Sequence, residues 1–112
     1  MAEGKMGLNE YQQLAMRTAG TNTISAKIEN GILGLCGESG ECADMLKKYY
    51  YQEHELDKDE LAKELGDVLW YCAELATGLG LTLEEVAQRN IDKLKRRYPE
   101  GFDPERSINR DE

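Results

Sequence analysis

The sequence predicts an all-α fold, a four-helix bundle-like subunit that assembles as an oligomer. Three observations predict it. Apolar residues recur at helical spacing and never alternate as in a strand. Both prolines, Pro99 and Pro104, lie near the C-terminal end, so nothing interrupts a helix before Pro99. Capping residues and glycines punctuate the chain between the apolar runs. A chain of 112 residues is one domain with a modest core. Helices that must each cover two faces therefore gain from a partner copy. The expected organisation is a single domain over 1–112, with its core at about 9–102 and a loose polar tail at 103–112.

The first helix is expected from Asn9 to Thr18, with Asn9 as its cap and Tyr11, Leu14 and Ala15 along one side. Ala19 to Thr23 reads as a polar loop. The second helix is expected from about Ser25 to Tyr51 and the third from about Lys58 to Leu79. Asp57 or Asp59 would cap the third, and Gly78 and Gly80 would stop it. The fourth opens on a capping box, Thr82-Leu83-Glu84-Glu85, and runs to about Arg97, before Tyr98-Pro99. At about 100° per residue, Leu61, Leu65, Val68, Leu69, Cys72, Leu75, Ala76 and Leu79 form one stripe on the third helix. Ile28, Ile32, Leu35, Cys36, Cys42, Ala43, Leu46 and Tyr50 form another on the second. Both stripes read as core, so Leu65→Ala is expected to cost about 2–5 kcal/mol.

Composition narrows the function. The formal net charge is −8, from 22 acidic and 14 basic residues, which argues against nucleic acid and against an anionic membrane surface as partners. No apolar stretch approaches the roughly 20 residues of a membrane span, and Met1 to Leu8 lacks the apolar run of a signal peptide. The three cysteines, Cys36, Cys42 and Cys72, form no Cys-x-x-Cys. They read as reduced, packed thiols of a cytoplasmic protein.

The chemistry lies beside the stripes. Glu38 and Glu41 are three apart on the second helix, and Glu64 and Asp67 are three apart on the third. Each pair projects from one side of its helix. If the two stripes face each other, the four carboxylates converge and repel. They must then protonate, splay into solvent or bind cations. Oxygen-only ligands favour hard ions such as Mg²⁺, Mn²⁺ or Ca²⁺. A single Glu-x-x-Glu occurs on many exposed helices, so the pair of pairs is the informative feature. Gly34, Gly37 and Gly40 add to it, since each glycine costs a helix roughly 1 kcal/mol relative to alanine. Their bare side would admit a ligand, another backbone or a kink. His54, the one histidine, falls in a polar link, so the Glu-x-x-His pairs of a di-iron bundle are missing.

Gly34-Leu35-Cys36-Gly37-Glu38-Ser39-Gly40-Glu41, followed by Glu64-Leu65-Gly66-Asp67-Val68-Leu69-Trp70-Tyr71, resembles the two halves of the MazG-type nucleotide pyrophosphohydrolase signature. Asn90-Ile91-Asp92-Lys93-Leu94 with Arg97-Tyr98-Pro99 is similar to that family's third block. The resemblance runs from Ile28 to Phe102. It implies an all-α NTP pyrophosphatase fold, a homodimer or homotetramer, and hydrolysis of a nucleoside triphosphate between its α- and β-phosphates. It also implies Mg²⁺ as cofactor, with Mn²⁺ as a substitute, held by Glu38, Glu41, Glu64 and Asp67. Asn90 and Lys93 match positions near the phosphates or sugar. Bound ions would turn a repulsive acidic site into one that attracts a triphosphate and activates water. Glu41 is the choice for the water's proton. Trp70, three residues after Asp67, would stack on a base or join a subunit interface. Lys47, Lys48 and Lys63 read as a solvated face. Two other readings stay open. One is a dimeric dUTPase or phosphoribosyl-ATP pyrophosphatase, which share the fold. The other is a non-catalytic helical module whose acidic patch binds a basic partner.

Overall fold

A computed structural model describes residues 4–109; the ends of the expected 1–112 domain, and with them Met1 to Glu3, lie outside that range. Among the described residues the elements are α1 (Leu8–Met16), α2 (Ile24–Tyr51), α3 (Lys58–Gly78), α4 (Leu83–Arg97) and α5 (Pro104–Ile108). The all-α expectation holds. The short α5 is an addition, because Asp103 caps it by accepting from the Glu105 amide at 3.0 Å and Pro104 occupies its first turn. The segment expected as a loose tail therefore carries a helical turn.

Local chemistry sets most helix ends. Thr23 caps α2 by accepting from the Ala26 amide at 3.1 Å. Asp57, rather than Asp59, caps α3, accepting from the amides of Asp59 and Glu60. The capping box at Thr82 forms as expected, with Thr82 and Glu85 exchanging side-chain and backbone bonds at 2.9 and 3.0 Å. Two terminal assignments change. Gly80, with φ +74°, ends α3, where the Leu81 amide donates back to the Ala76 carbonyl at 2.9 Å. Gly78 stays helical and buried. A Cβ there would lie 2.9 Å from Ile28 Cγ1, so its role is close packing.

Asn9 is the other correction. It sits inside α1, whose cap is Gly7. Its Oδ1 instead accepts from the Glu84 amide at 3.1 Å, and Gln12 Oε1 accepts from the Leu83 amide at 2.7 Å. Gln12 Nε2 donates to Thr77 Oγ1 and the Leu81 carbonyl. The start of α4 is thus capped from its own sequence and from α1.

Helices α2 and α3 pair antiparallel over most of their length. Ile28 meets Gly78, Gly31 meets Leu75, and Gly34 meets Tyr71. At Gly31 an added Cβ would stand 2.9 Å from Leu75 Cβ and 3.1 Å from its backbone. At Gly34 it would run into the Tyr71 ring. α2 is continuous through Gly34–Gly40, so no break occurs there. Gly37 and Gly40 face open space. Helix α1 lies across α3, and α4 packs on α1 and α3. The small core consists of Ala15, Ala73, Ala76 and Leu83, with Tyr11, Met16, Trp70 and Cys72 against it.

The expected stripes are only partly core. Ala76 is buried, but Leu65 is 63% exposed, and Ile32, Leu46, Tyr50, Leu69 and Leu79 are exposed as well. The reason is geometric. The glycine contacts centre the α2–α3 interface to one side of each stripe, and no other helix among the described residues covers the remainder. The Cα radius of gyration is 17.1 Å, against about 13 Å for a compact chain near this size. The expected cost of Leu65→Ala is corrected accordingly. In the isolated chain it is expected to change stability by no more than about 0.5 kcal/mol. Urea denaturation at a concentration where the chain is monomeric checks this.

Candidate metal centre

The α2–α3 register carries the acids together. One step beyond Gly34 and Tyr71, Glu38 on α2 reaches Glu64 and Asp67 on α3. One carboxylate oxygen from each of the three lies within 4.8 Å of the other two. Glu38 and Glu64 are half-buried and Asp67 is exposed. Oε2 of Glu64 is buried without a hydrogen-bond partner, which is costly for a carboxylate oxygen. An all-oxygen donor set with an unpaired inner oxygen fits a hard divalent cation.

The electrostatics agree with that crowding. Glu38 is pushed up to about 7 from the usual 4.5, first by sharing a hydrogen bond with Glu64, then by desolvation and by the charges of Glu64, Asp67 and Glu41. A raised carboxyl binds its proton more tightly in the folded chain than in the unfolded one. Its stabilising contribution is complete below about pH 4.5 and is lost as pH rises through about 7. The metal-free protein is therefore expected to melt lower as pH rises from about 5.5 to 7.5, above the range of ordinary carboxylates. Glu38→Gln is expected to flatten that slope. Equal slopes for both proteins in a thermal-melt series would contradict the shared proton.

Glu41 stands outside the gathered group. It is exposed, one turn beyond Glu38, and close enough to raise Glu38's pKa. Asn90 and Lys93 lie on α4, exposed and half-buried respectively. Neither lines the pocket beside the acidic group. The turn after Gly80 starts α4 at the far end of α3, roughly 16 Å along the axis from Asp67. Lys48 pairs with Asp44 at 2.9 Å and Lys63 with Glu60 at 3.1 Å. These exposed helix-surface pairs contribute little.

Trp70 does border the site. With Glu38, Asp67 and Tyr71 it lines an open pocket of about 320 Å³. Its Nε1 donates to the Ala15 carbonyl at 3.1 Å and to Thr18 Oγ1 at 2.9 Å. The indole edge is thereby tied to α1 and its neighbouring turn. Tyr71 meets it edge to face, with ring centroids 5.1 Å apart.

Three residues here were not singled out as site groups from sequence. Tyr71 stands against Gly34 and lines the pocket. Its place one turn after Asp67 was a readable signal. Tyr11 of α1 has its phenol held above the usual range by burial, then by the charge of Asp67 and by Cys72. Glu74 is completely buried. No spacing rule marks the last two, since both depend on which helix covers which face.

A family model described as the MazG nucleotide pyrophosphohydrolase domain matches residues 26–102, more than half of the chain. The chain belongs to the MazG family. The MazG match takes in α2, α3 and α4 and all four acidic signature residues. Helix α1, which holds Trp70 by its indole edge, lies outside the matched MazG region. The Gene 37 protein of Mycobacterium phage L5 is 42% identical over 73 residues, which are 62% of this chain and 64% of that protein. The chain thus spans less than two-thirds of that relative's length. No solved structure matches this MazG chain. No described helix is long and apolar enough to cross a membrane.

Proposed function

We propose that this MazG chain is a magnesium-dependent nucleoside triphosphate pyrophosphohydrolase. It converts a (deoxy)nucleoside triphosphate to the monophosphate and pyrophosphate, in a house-cleaning role in the cytoplasm. The observation that carries the reading is the convergence of Glu38, Glu64 and Asp67 around the unpaired Oε2 of Glu64, in a chain of this family.

Glu38, Glu64 and Asp67 would hold Mg²⁺, or Mn²⁺ in its place, with Glu41 completing the set. A bound divalent ion supplies charge neutralisation and Lewis acidity toward the phosphates. Glu41, exposed at the edge of the acidic group, accepts the proton of the attacking water. Trp70 offers its ring face to the base while its edge stays tied to α1. Asn90 and Lys93 take the phosphates or sugar. Neither lines the pocket beside the acids within one chain, which supports a homodimer or homotetramer whose copies meet over the exposed apolar residues of α2 and α3. The overall charge of −8 argues against nucleic acid as a partner.

The test is pyrophosphate release from a panel of canonical and modified triphosphates, with and without Mg²⁺. Release that requires Mg²⁺ supports the reading, and the preferred substrate separates it from dUTPase and phosphoribosyl-ATP chemistry. No release from any triphosphate, with no Mg²⁺-dependent shift in melting temperature, would leave the acidic group a protein-binding patch.

A further inference from the structure

Glu74 takes no part in the roles assigned above, yet it is the largest fully buried side chain among the described residues. Its Oε1 accepts from Asn30 Nδ2 at 2.7 Å and its Oε2 accepts from Thr21 Oγ1 at 2.8 Å. Lys27 Nζ donates to the Thr21 carbonyl at 2.8 Å and to Thr21 Oγ1 at 3.1 Å. The turn before α2, α2 itself and α3 therefore meet on one carboxylate. Burying such a group is unfavourable unless each oxygen is bonded. Both oxygens are bonded here, so the partners must hold their places.

The location gives this a consequence. Asn30 adjoins Gly31, and Glu74 adjoins Leu75, a pair at which α2 and α3 approach too closely for an added Cβ. A glycine contact has no protruding side chain to resist sliding, whereas hydrogen bonds are directional. Glu74 follows Asp67 on α3 by two helical turns, about 10.5 Å, on nearly the same side. A slide or roll of α2 at this point shifts Glu38 against Glu64 and Asp67.

We infer that Glu74, through Asn30 and Thr21, is a positioning residue that fixes the α2–α3 register and with it the spacing of the three clustered carboxylates. The consequence for the site rests on the reading that those carboxylates hold a divalent ion.

The test uses the full chain, with Mn²⁺ alone as probe. Two measurements are made on folded protein: the Mn²⁺ dissociation constant by calorimetry, and metal-free amide hydrogen exchange over 34–41 and 64–71. Glu74→Leu is expected to weaken Mn²⁺ binding about tenfold or more, and Glu74→Gln to restore it to within about threefold, as for residues that orient ligands from behind. Glu74→Leu is also expected to speed exchange in both segments about tenfold, and Glu74→Gln to return it to the wild-type rate. Should Glu74→Leu fail to fold, Asn30→Ala at an exposed position carries both measurements with the same expected directions. Unchanged exchange in a folded Glu74→Leu or Asn30→Ala variant overturns the inference, as does unchanged Mn²⁺ affinity. If the wild type binds no Mn²⁺, the metal reading fails, while the exchange comparison still decides whether Glu74 sets the register.

Discussion

Asp67→Asn is expected to lower Mg²⁺-dependent pyrophosphate release at least about a thousandfold while leaving helical content and assembly unchanged. The substitution keeps size and one accepting oxygen but removes a charge from the group formed with Glu38 and Glu64. Loss of a few kcal/mol of charge stabilisation at a phosphoryl-transfer site corresponds to a rate loss of about that size. Glu38→Gln is expected to do the same to turnover and the opposite to the metal-free fold. A hydrogen bond shared with Glu64, then desolvation and the neighbouring carboxylate charges, push Glu38's carboxyl up to about 7, so neutralising it removes repulsion and raises the melting temperature at pH 8. Activity lost together with a gain in apo stability identifies a residue kept for charge rather than packing. Pyrophosphate release, circular dichroism and thermal melts measure the three quantities. Wild-type turnover in either variant would remove that residue from the ligand set.

The largest stability effect is expected at Gly31. A Cβ there meets Leu75 at its Cβ and at its backbone, the latter at 3.1 Å, and backbone cannot move aside as a flexible side-chain end can. Gly31→Val is expected to cost about 3 kcal/mol or more, lowering the melting temperature by about 10–20 °C. Gly37, six residues further along α2, faces open space. Gly37→Ala is expected to be neutral or to stabilise by up to about 1 kcal/mol through helix propensity. Equal melting temperatures for the two variants would contradict the register that brings Glu38 to Glu64 and Asp67.

The contrast between these glycines shows how far the sequence could be read. Gly34, Gly37 and Gly40 look alike as a cluster, yet only Gly34 lies under another helix, against Tyr71. Gly31 and Gly78, outside the cluster, are the ones that approach another helix's backbone, at 3.1 Å from an added Cβ. Periodicity located the faces of α2 and α3, but not which part of each face a neighbour covers. Leu65 fell inside a sound helical stripe and is nonetheless exposed, because a stripe records where apolar side chains point and not what meets them. The paired acids were legible for the opposite reason. Their spacing of three on each helix is a local fact, and only the register between the helices remained to be supplied.

By itself the sequence determined the first four helices, the capping box at Thr82, the two acidic pairs and the family resemblance. These depend on interactions within a few residues, or on residue types in fixed order. The tertiary structure alone decided that Asn9 caps α4 rather than α1 and that Gln12 joins it there, that Trp70 is tied to α1, and that Glu74 is buried. It also decided that Glu41 stands outside the group of the other three acids, and that Asn90 and Lys93 do not line the pocket beside it. Each of these depends on contacts between residues far apart in the chain, whose geometry is set by close packing and leaves no trace in local spacing.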